Sequence, residues 1–258
     1  MTRIGTRFAA LRKAGKQAFV AFVSAGDPSL ERSVEIALEL EQAGVDVLEL
    51  GVPFSVPLAD GPVIQRASQR ALTNGTTLAG VLGAVRRIRA KSELPLLLFS
   101  YLNPLLRYGL ERLAREARDA GVDGVLVTDM PPEESNDWLP AARAADLDTV
   151  FLAAPTSPDE RLRLVAEASR GFVYAVSRTG VTGEREALSD DARPLVERLR
   201  ARTSEPVALG FGIATPEQFK AAARVADGVV VGSALVRFLE EHPKGDVGER
   251  VRWLKSGL

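Results

Sequence analysis

The chain contains no cysteine and one histidine, His242, set in the polar run Glu240-Glu241-His242-Pro243-Lys244 near the C-terminus. The first absence excludes disulfides, thiolate nucleophiles, iron–sulfur clusters and cysteine-ligated zinc. The second argues against a Ser–His–Asp triad and a His-ligated metal, because His242 reads as a solvated surface residue. No apolar run approaches the roughly 20 residues that span a bilayer. The stretch from Met1 to Lys16 carries Arg and Lys and lacks the apolar core of a secretory signal. Charge of one sign is also missing: 33 basic residues meet 34 acidic ones, a net charge of −1. No bulk field therefore draws nucleic acid or an anionic membrane. A cytoplasmic location is the expectation.

What is present is ordinary globular composition: 258 residues, 46% hydrophobic and 26% charged, with 22 Gly and 15 Pro. That length buries a core without staples. Short apolar, β-branched runs recur at Ala18–Ser24, Val45–Leu50, Pro95–Tyr101, Gly124–Thr128, Thr149–Ala153, Phe172–Ser177, Val207–Gly210 and Gly228–Val231. They are apolar on both faces, as parallel strands covered on both sides are. Between them lie helical stripes, such as Leu110, Leu113, Ala114 and Ala117, and Ala192, Leu195, Val196 and Leu199. The phrase Ala-Gly-Val-Asp occurs at Ala43–Asp46 and Ala120–Asp123. It marks a helix ending on a left-handed glycine and passing into a strand. No linker or composition break divides the chain, so it reads as one domain, residues 1–258. Eight strands alternating with helices predict a (β/α)8 TIM barrel, with extra helices at the N-terminus and after the second strand. An open doubly wound sheet is the other possibility, but Ser24-Ala25-Gly26-Asp27-Pro28 after the first strand is not a dinucleotide turn.

Function in a barrel sits at the C-terminal strand ends. The second strand carries Glu49 among apolar neighbours, on one face with Val45 and Val47 by alternation. Burial there raises a carboxyl pKa toward the range useful for proton transfer, unless an arginine holds the group as a structural pair. The following loop, Val52 to Pro62, is stiffened by Pro53, Pro57 and Pro62 and carries Asp60. Asp60 is either a second carboxylate at the mouth or a turn and helix-capping residue. Ser177 to Gly183 reads either as a glycine-bearing lid or as a plain surface loop. Gly210-Phe211-Gly212 and Gly232-Ser233-Ala234 close the last two strands, the second opening directly into a helix, in the pattern of a barrel phosphate site. None of the six lysines (Lys13, Lys16, Lys91, Lys220, Lys244 and Lys255) falls on a predicted strand, which argues against a Schiff-base aldolase. Acid–base chemistry by carboxylates on a phosphate ester is what composition and spacing leave.

These stretches, read in order with Leu48 to Ser55, Pro57 to Pro62, Tyr101-Leu102-Asn103-Pro104, Asp129 to Glu134 and Ala154-Pro155-Thr156-Ser157, closely resemble the tryptophan synthase alpha subunit family. The resemblance implies cleavage of indole-3-glycerol phosphate to indole and glyceraldehyde 3-phosphate. It implies Glu49 as the general acid–base acting at indole C3 and the glycerol hydroxyl, and Asp60 as the partner of the indole N–H. Phe22, Tyr101, Tyr174 and Phe211 would line the indole side, Thr182 would orient Asp60, and Gly183, Gly212, Gly232 and Ser233 would hold the phosphate. No metal and no cofactor in this chain are implied. A beta subunit carrying pyridoxal phosphate is the expected partner, in an alpha2beta2 assembly. Val56 departs from the family, which has Asp there and uses it toward the beta subunit. Two other functions stay open at this point: a barrel that serves mainly as allosteric partner of a beta subunit, and another phosphate-binding barrel such as a sugar-phosphate isomerase.

Overall fold

The computed structural model describes residues 2–176, 191–210 and 212–256. In chain order its elements are α1 (Arg3–Lys13), β1 (Ala18–Ser24), α2 (Leu30–Gln42), β2 (Val47–Gly51), α3 (Pro62–Thr73), α4 (Leu78–Arg89), β3 (Leu96–Ser100), α5 (Leu102–Tyr108), α6 (Leu110–Ala120), β4 (Gly124–Val127), a 3-10 turn (Pro132–Glu134), α7 (Trp138–Ala144), β5 (Asp148–Val150), β6 (Leu152–Ala153), α8 (Asp159–Ala168), β7 (Val173–Val176), α9 (Ala192–Arg200), β8 (Val207–Gly210), α10 (Pro216–Ala223), β9 (Gly228–Val231), α11 (Ser233–Glu241) and α12 (Val247–Lys255). The strands form one sheet in the order β5-β4-β3-β2-β1-β9-β8-β7-β6, and every pairing is parallel. β5 and β6 are separated only by Phe151 and together form one stave, so the sheet closes as an eight-stave barrel. The fifth run is thus interrupted where the sequence reads a continuous strand. Among the described residues no helix is long and apolar enough to cross a membrane.

The two-sided apolar strands serve two cores. Val20, Val47, Leu97, Leu126, Phe172 and Val230 point into the barrel, whose floor is plugged by Ile4, Phe8 and Leu11 of α1. The alternate residues, such as Leu48, Leu50 and Leu98, meet the helices outside. In α9 the buried residues are the predicted Ala192, Leu195, Val196 and Leu199. Val45 departs from expectation. It lies before β2 and packs in the outer core, while Val47 packs inside. The cause is the turn that precedes it. Gly44 has φ +84°, and the Val45 amide donates back to Leu40 O at 3.0 Å, so alternation starts only at Val47.

The repeated Ala-Gly-Val-Asp phrase has a second use. Asp46 accepts from the Phe19 amide at 2.7 Å and Asp123 from the Leu96 amide at 2.9 Å, each latching the start of the neighbouring strand. Asp227, before β9, does the same for Val207 at 2.9 Å. Arg7 and Arg3 of α1 reach Asp46 and Asp123, fastening the plug to the barrel floor.

Among the described residues four helices stand outside the simple alternation: α1, α3, α5 and α11. The first two occupy the places expected for extra helices. α5 and α11 are additions that the strand spacing does not reveal. α3 and α11 both start at the mouth and pack on each other and on β1.

Candidate active site

Strand register sets the site in two levels. Phe22, Glu49 and Leu97 are paired neighbours on β1, β2 and β3, and one pleat nearer the mouth Ser24, Gly51 and Phe99 are paired. Glu49 shares the inward face with Val47 and Gly51. It is 1% exposed, and neither carboxyl oxygen has a hydrogen-bond partner. Among the described residues no arginine forms the pair that a structural role requires. Burial alone pushes the carboxyl up to about 8, so at neutral pH Glu49 stands as the protonated acid.

Asp60 arrives from the proline-stiffened loop and is also buried. The Tyr101 hydroxyl donates to its Oδ2 at 3.0 Å and accepts from the Ala59 amide at 3.0 Å. The Asp60 amide donates to Pro57 O at 3.0 Å, and Gln65 Nε2 donates to Asp60 O at 2.8 Å. Asp60 does not cap α3, whose N-cap is Gly61. Burial pushes Asp60 up to about 6, with the Tyr101 hydrogen bond pulling the other way. The two carboxyls are thereby set on opposite sides of neutrality, Asp60 ionised and Glu49 protonated.

One cavity brings these groups together. Phe22, Glu49, Asp60, Tyr174, Gly212, Gly232 and Ser233, all singled out from sequence, line it. Tyr101 borders the adjoining space with Gly51, Phe54 and Asp60. Thr182, Gly183, Phe211 and the segment from Ser177 to Gly183 fall outside the described residues. Sequence reasoning missed Ile64, Phe99, Ile213 and Val230 in the lining. Phe99 meets Phe22 edge to face, ring centroids 5.1 Å apart. Alternation along the third strand carried a usable signal for Phe99, whereas α3, which brings Ile64, had no barrel position to predict it from. Tyr174 reaches the same space from β7. Burial, then the nearby Glu49 and Asp60, hold its hydroxyl protonated.

The same cavity is lined by Gly232 and Ser233, where α11 begins with Gly232 as its N-cap and no side chain among the described residues caps it. Its first two amides thus have no intrahelical acceptor and suit an anion. Gly212, after β8, holds φ +80°, a backbone open to glycine. Among the described residues no cluster of three or more His, Asp or Glu could hold a metal ion. A larger, more open cleft lies between α6 and α7. It contains no buried unpartnered carboxylate, and its Arg118 pairs with Asp146 at 3.3 Å.

The sequence profile of the tryptophan synthase alpha chain matches residues 8–254. The chain belongs to the tryptophan synthase alpha chain family. The Solibacter usitatus tryptophan synthase alpha chain is 53% identical over 242 residues, covering 94% of this chain and 91% of that protein. The alpha chain of Citrifermentans bemidjiense is 49% identical over 258 residues, covering 100% of this chain and 97% of its own length. Among solved structures, Mycobacterium tuberculosis tryptophan synthase superposes with a TM-score of 0.93 at 39% identity, covering 99% of this chain and 98% of that one. The tryptophan synthase a2b2 complex of Pyrococcus furiosus superposes with a TM-score of 0.88 at 37% identity, covering 93% and 99%. The family match takes in both carboxylates and the α11 N-terminus. Val56, the position that the sequence reading sets apart from the family pattern, is 54% exposed, and Leu58 is 79% exposed. The departure therefore alters surface and leaves the cavity lining unchanged.

Proposed function

We propose that this chain is the alpha subunit of a tryptophan synthase and cleaves indole-3-glycerol phosphate to indole and glyceraldehyde 3-phosphate. The observation that carries the reading is the meeting of an unpartnered, protonated Glu49 and a hydrogen-bonded, ionised Asp60 in one cavity, with an uncapped helix start in the same lining. The indole ring lies against Phe22, Phe99 and Tyr174, with the phosphate toward Gly212, Gly232 and Ser233.

In the reaction the Glu49 carboxyl gives its proton to indole C3. Asp60 takes the N1 proton, so the ring becomes an indolenine. The Glu49 carboxylate then removes the proton of the glycerol hydroxyl beside the ring. The new C=O forms, the carbon–carbon bond breaks, and its electron pair restores the indole C2=C3 bond while Asp60 returns the proton to N1. Glu49 ends protonated and Asp60 ionised, as both began. Of the groups assigned from sequence, Thr182, Gly183 and Phe211 complete this reading at the lid, the phosphate and the ring. The chain needs no cofactor for these steps. Pyridoxal phosphate belongs to the beta subunit, with which this chain forms an alpha2beta2 assembly in the cytoplasm.

The test is indole release from indole-3-glycerol phosphate by the purified chain, with and without a beta subunit. Glu49→Gln and Asp60→Asn should each lower turnover by about 100-fold or more. Near-normal rates in either variant would remove that residue from the mechanism. No indole under either condition would leave the barrel an allosteric partner only.

A further inference from the structure

The Ser24–Pro28 motif has no part in the chemistry above, yet its Asp27 is 8% exposed and ion-paired. Arg70 of α3 grips it with two hydrogen bonds, Nε to Oδ1 at 2.8 Å and Nη2 to Oδ2 at 2.7 Å. The third nitrogen of Arg70 donates to Glu240 Oε1 of α11 at 2.6 Å. Arg66, one turn earlier in α3, holds the same carboxylate with two more bonds, at 2.8 and 2.6 Å. The β1–α2 loop, α3 and α11 are thus joined by the continuous chain Asp27–Arg70–Glu240–Arg66. Beneath it Val63, Ile64 and Ala67 of α3 pack with Val236 of α11 and with Phe22.

Both helices begin at the barrel mouth. α3 starts two residues after Asp60 and contributes Ile64 to the cavity, and α11 starts at Ser233. Neither is one of the helices that alternate with the staves, so strand pairing does not fix the separation of their starts. The bidentate ion pairs add a constraint beside the apolar packing, because a guanidinium fork sets both distance and orientation. Partly exposed pairs of this kind add little to stability, so their value lies in geometry.

We infer that the Asp27–Arg70–Glu240–Arg66 chain positions the carboxylate end of the cavity against the anion end, setting the span over which one substrate must reach. This rests on the reading of the site given above. A ligand filling one end is indifferent to that span; a ligand joining both ends depends on it, because the second contact is intramolecular and sensitive to fit.

The experiment measures binding to the full-length chain of indole, of glycerol 3-phosphate, and of indole-3-propanol phosphate, which joins the two halves and lacks the hydroxyls needed for cleavage. Glu240→Gln and Arg70→Met are compared with Glu31→Gln, which breaks the exposed Arg87–Glu31 pair elsewhere. The expected result is a loss of about fivefold or more for the joined ligand in the two network variants, with each half-ligand within about twofold of the original chain. Glu31→Gln should leave all three unchanged. Equal weakening of all three ligands, or no change in any, would overturn the inference. Failure of the unaltered chain to bind either half would instead overturn the site reading.

Discussion

Replacing Tyr101 with Phe removes one hydroxyl that makes two bonds, to Asp60 Oδ2 and from the Ala59 amide. A hydrogen bond to a charged group is worth about 1.5–3 kcal/mol. One pKa unit corresponds to about 1.4 kcal/mol, so its loss raises Asp60 by about one to two units. The starting value is about 6, which places the variant at about 7 to 8. The proposed reaction needs Asp60 ionised and Glu49 protonated. The rate therefore rises with pH through the Asp60 pKa and falls through that of Glu49, at about 8. In Tyr101→Phe the rising limb moves up toward the falling one and the bell narrows. At pH 7 the ionised fraction of Asp60 falls from about nine-tenths to between about one-half and one-tenth, a two- to tenfold loss of kcat/KM. The assay is indole release from pH 5 to 9, fitted for both limbs in kcat/KM. A uniform loss with an unmoved rising limb would refute the reasoning, leaving Tyr101 as a support for the Ala59 backbone alone.

Glu49→Gln should remove activity yet raise stability, and more so at pH 8 than at pH 5. Glu49 has an ordinary value of 4.5 and is held at about 8 in the fold. The native state thus keeps a proton that the unfolded chain releases, and its stability declines between those values as pH rises. Thermal melts at the two pH values check this, and an equal Tm difference at both would contradict it. Gly51→Ala places a Cβ 2.6 Å from Phe22 Cζ. It should cost about 1–3 kcal/mol in urea unfolding and weaken indole binding as the Phe22 ring leaves Phe99. Unchanged unfolding would show that the ring yields freely. Val56→Asp should alter beta-subunit affinity or the activation of cleavage by beta, with the isolated chain's cleavage unchanged. If titration with a beta subunit shows neither effect, the Val56 departure has no bearing on coupling.

The barrel was legible because its staves are apolar on both faces and its helices carry stripes that bury as patterned. Glu49 was legible for the converse reason, as a charged residue inside such a stave. What pattern reasoning lost was set by local turns. The Gly44 turn delays alternation past Val45, and Phe151 breaks the fifth stave. Asp60 was visible only as a residue of a stiff loop, since its bond to Tyr101 spans 41 positions. The α3–α11 ties were beyond reach for the same reason: Arg70 and Glu240 lie 170 residues apart. A hydrophobic stripe says which face a helix buries, but not which other helix stands beside it.

The two ends of the barrel use the same residue class in opposite ways. At the floor Asp46 and Asp123 take a strand amide and an α1 arginine each, and Asp227 takes a strand amide and Arg200. Their charges are met by donors, so burial there latches strands and plug together. At the mouth Glu49 is as deeply buried as Asp123 and has no donor among the described residues. A strand-borne carboxyl without partners weakens the native state at pH values where it would otherwise ionise. The fold keeps it, and nothing among the described residues of the wall compensates it. That makes a role in stability untenable for Glu49. The same absence of donors leaves its proton free for the transfer that the proposed reaction asks of it, a task that the floor aspartates, held by their amides and arginines, are unable to perform.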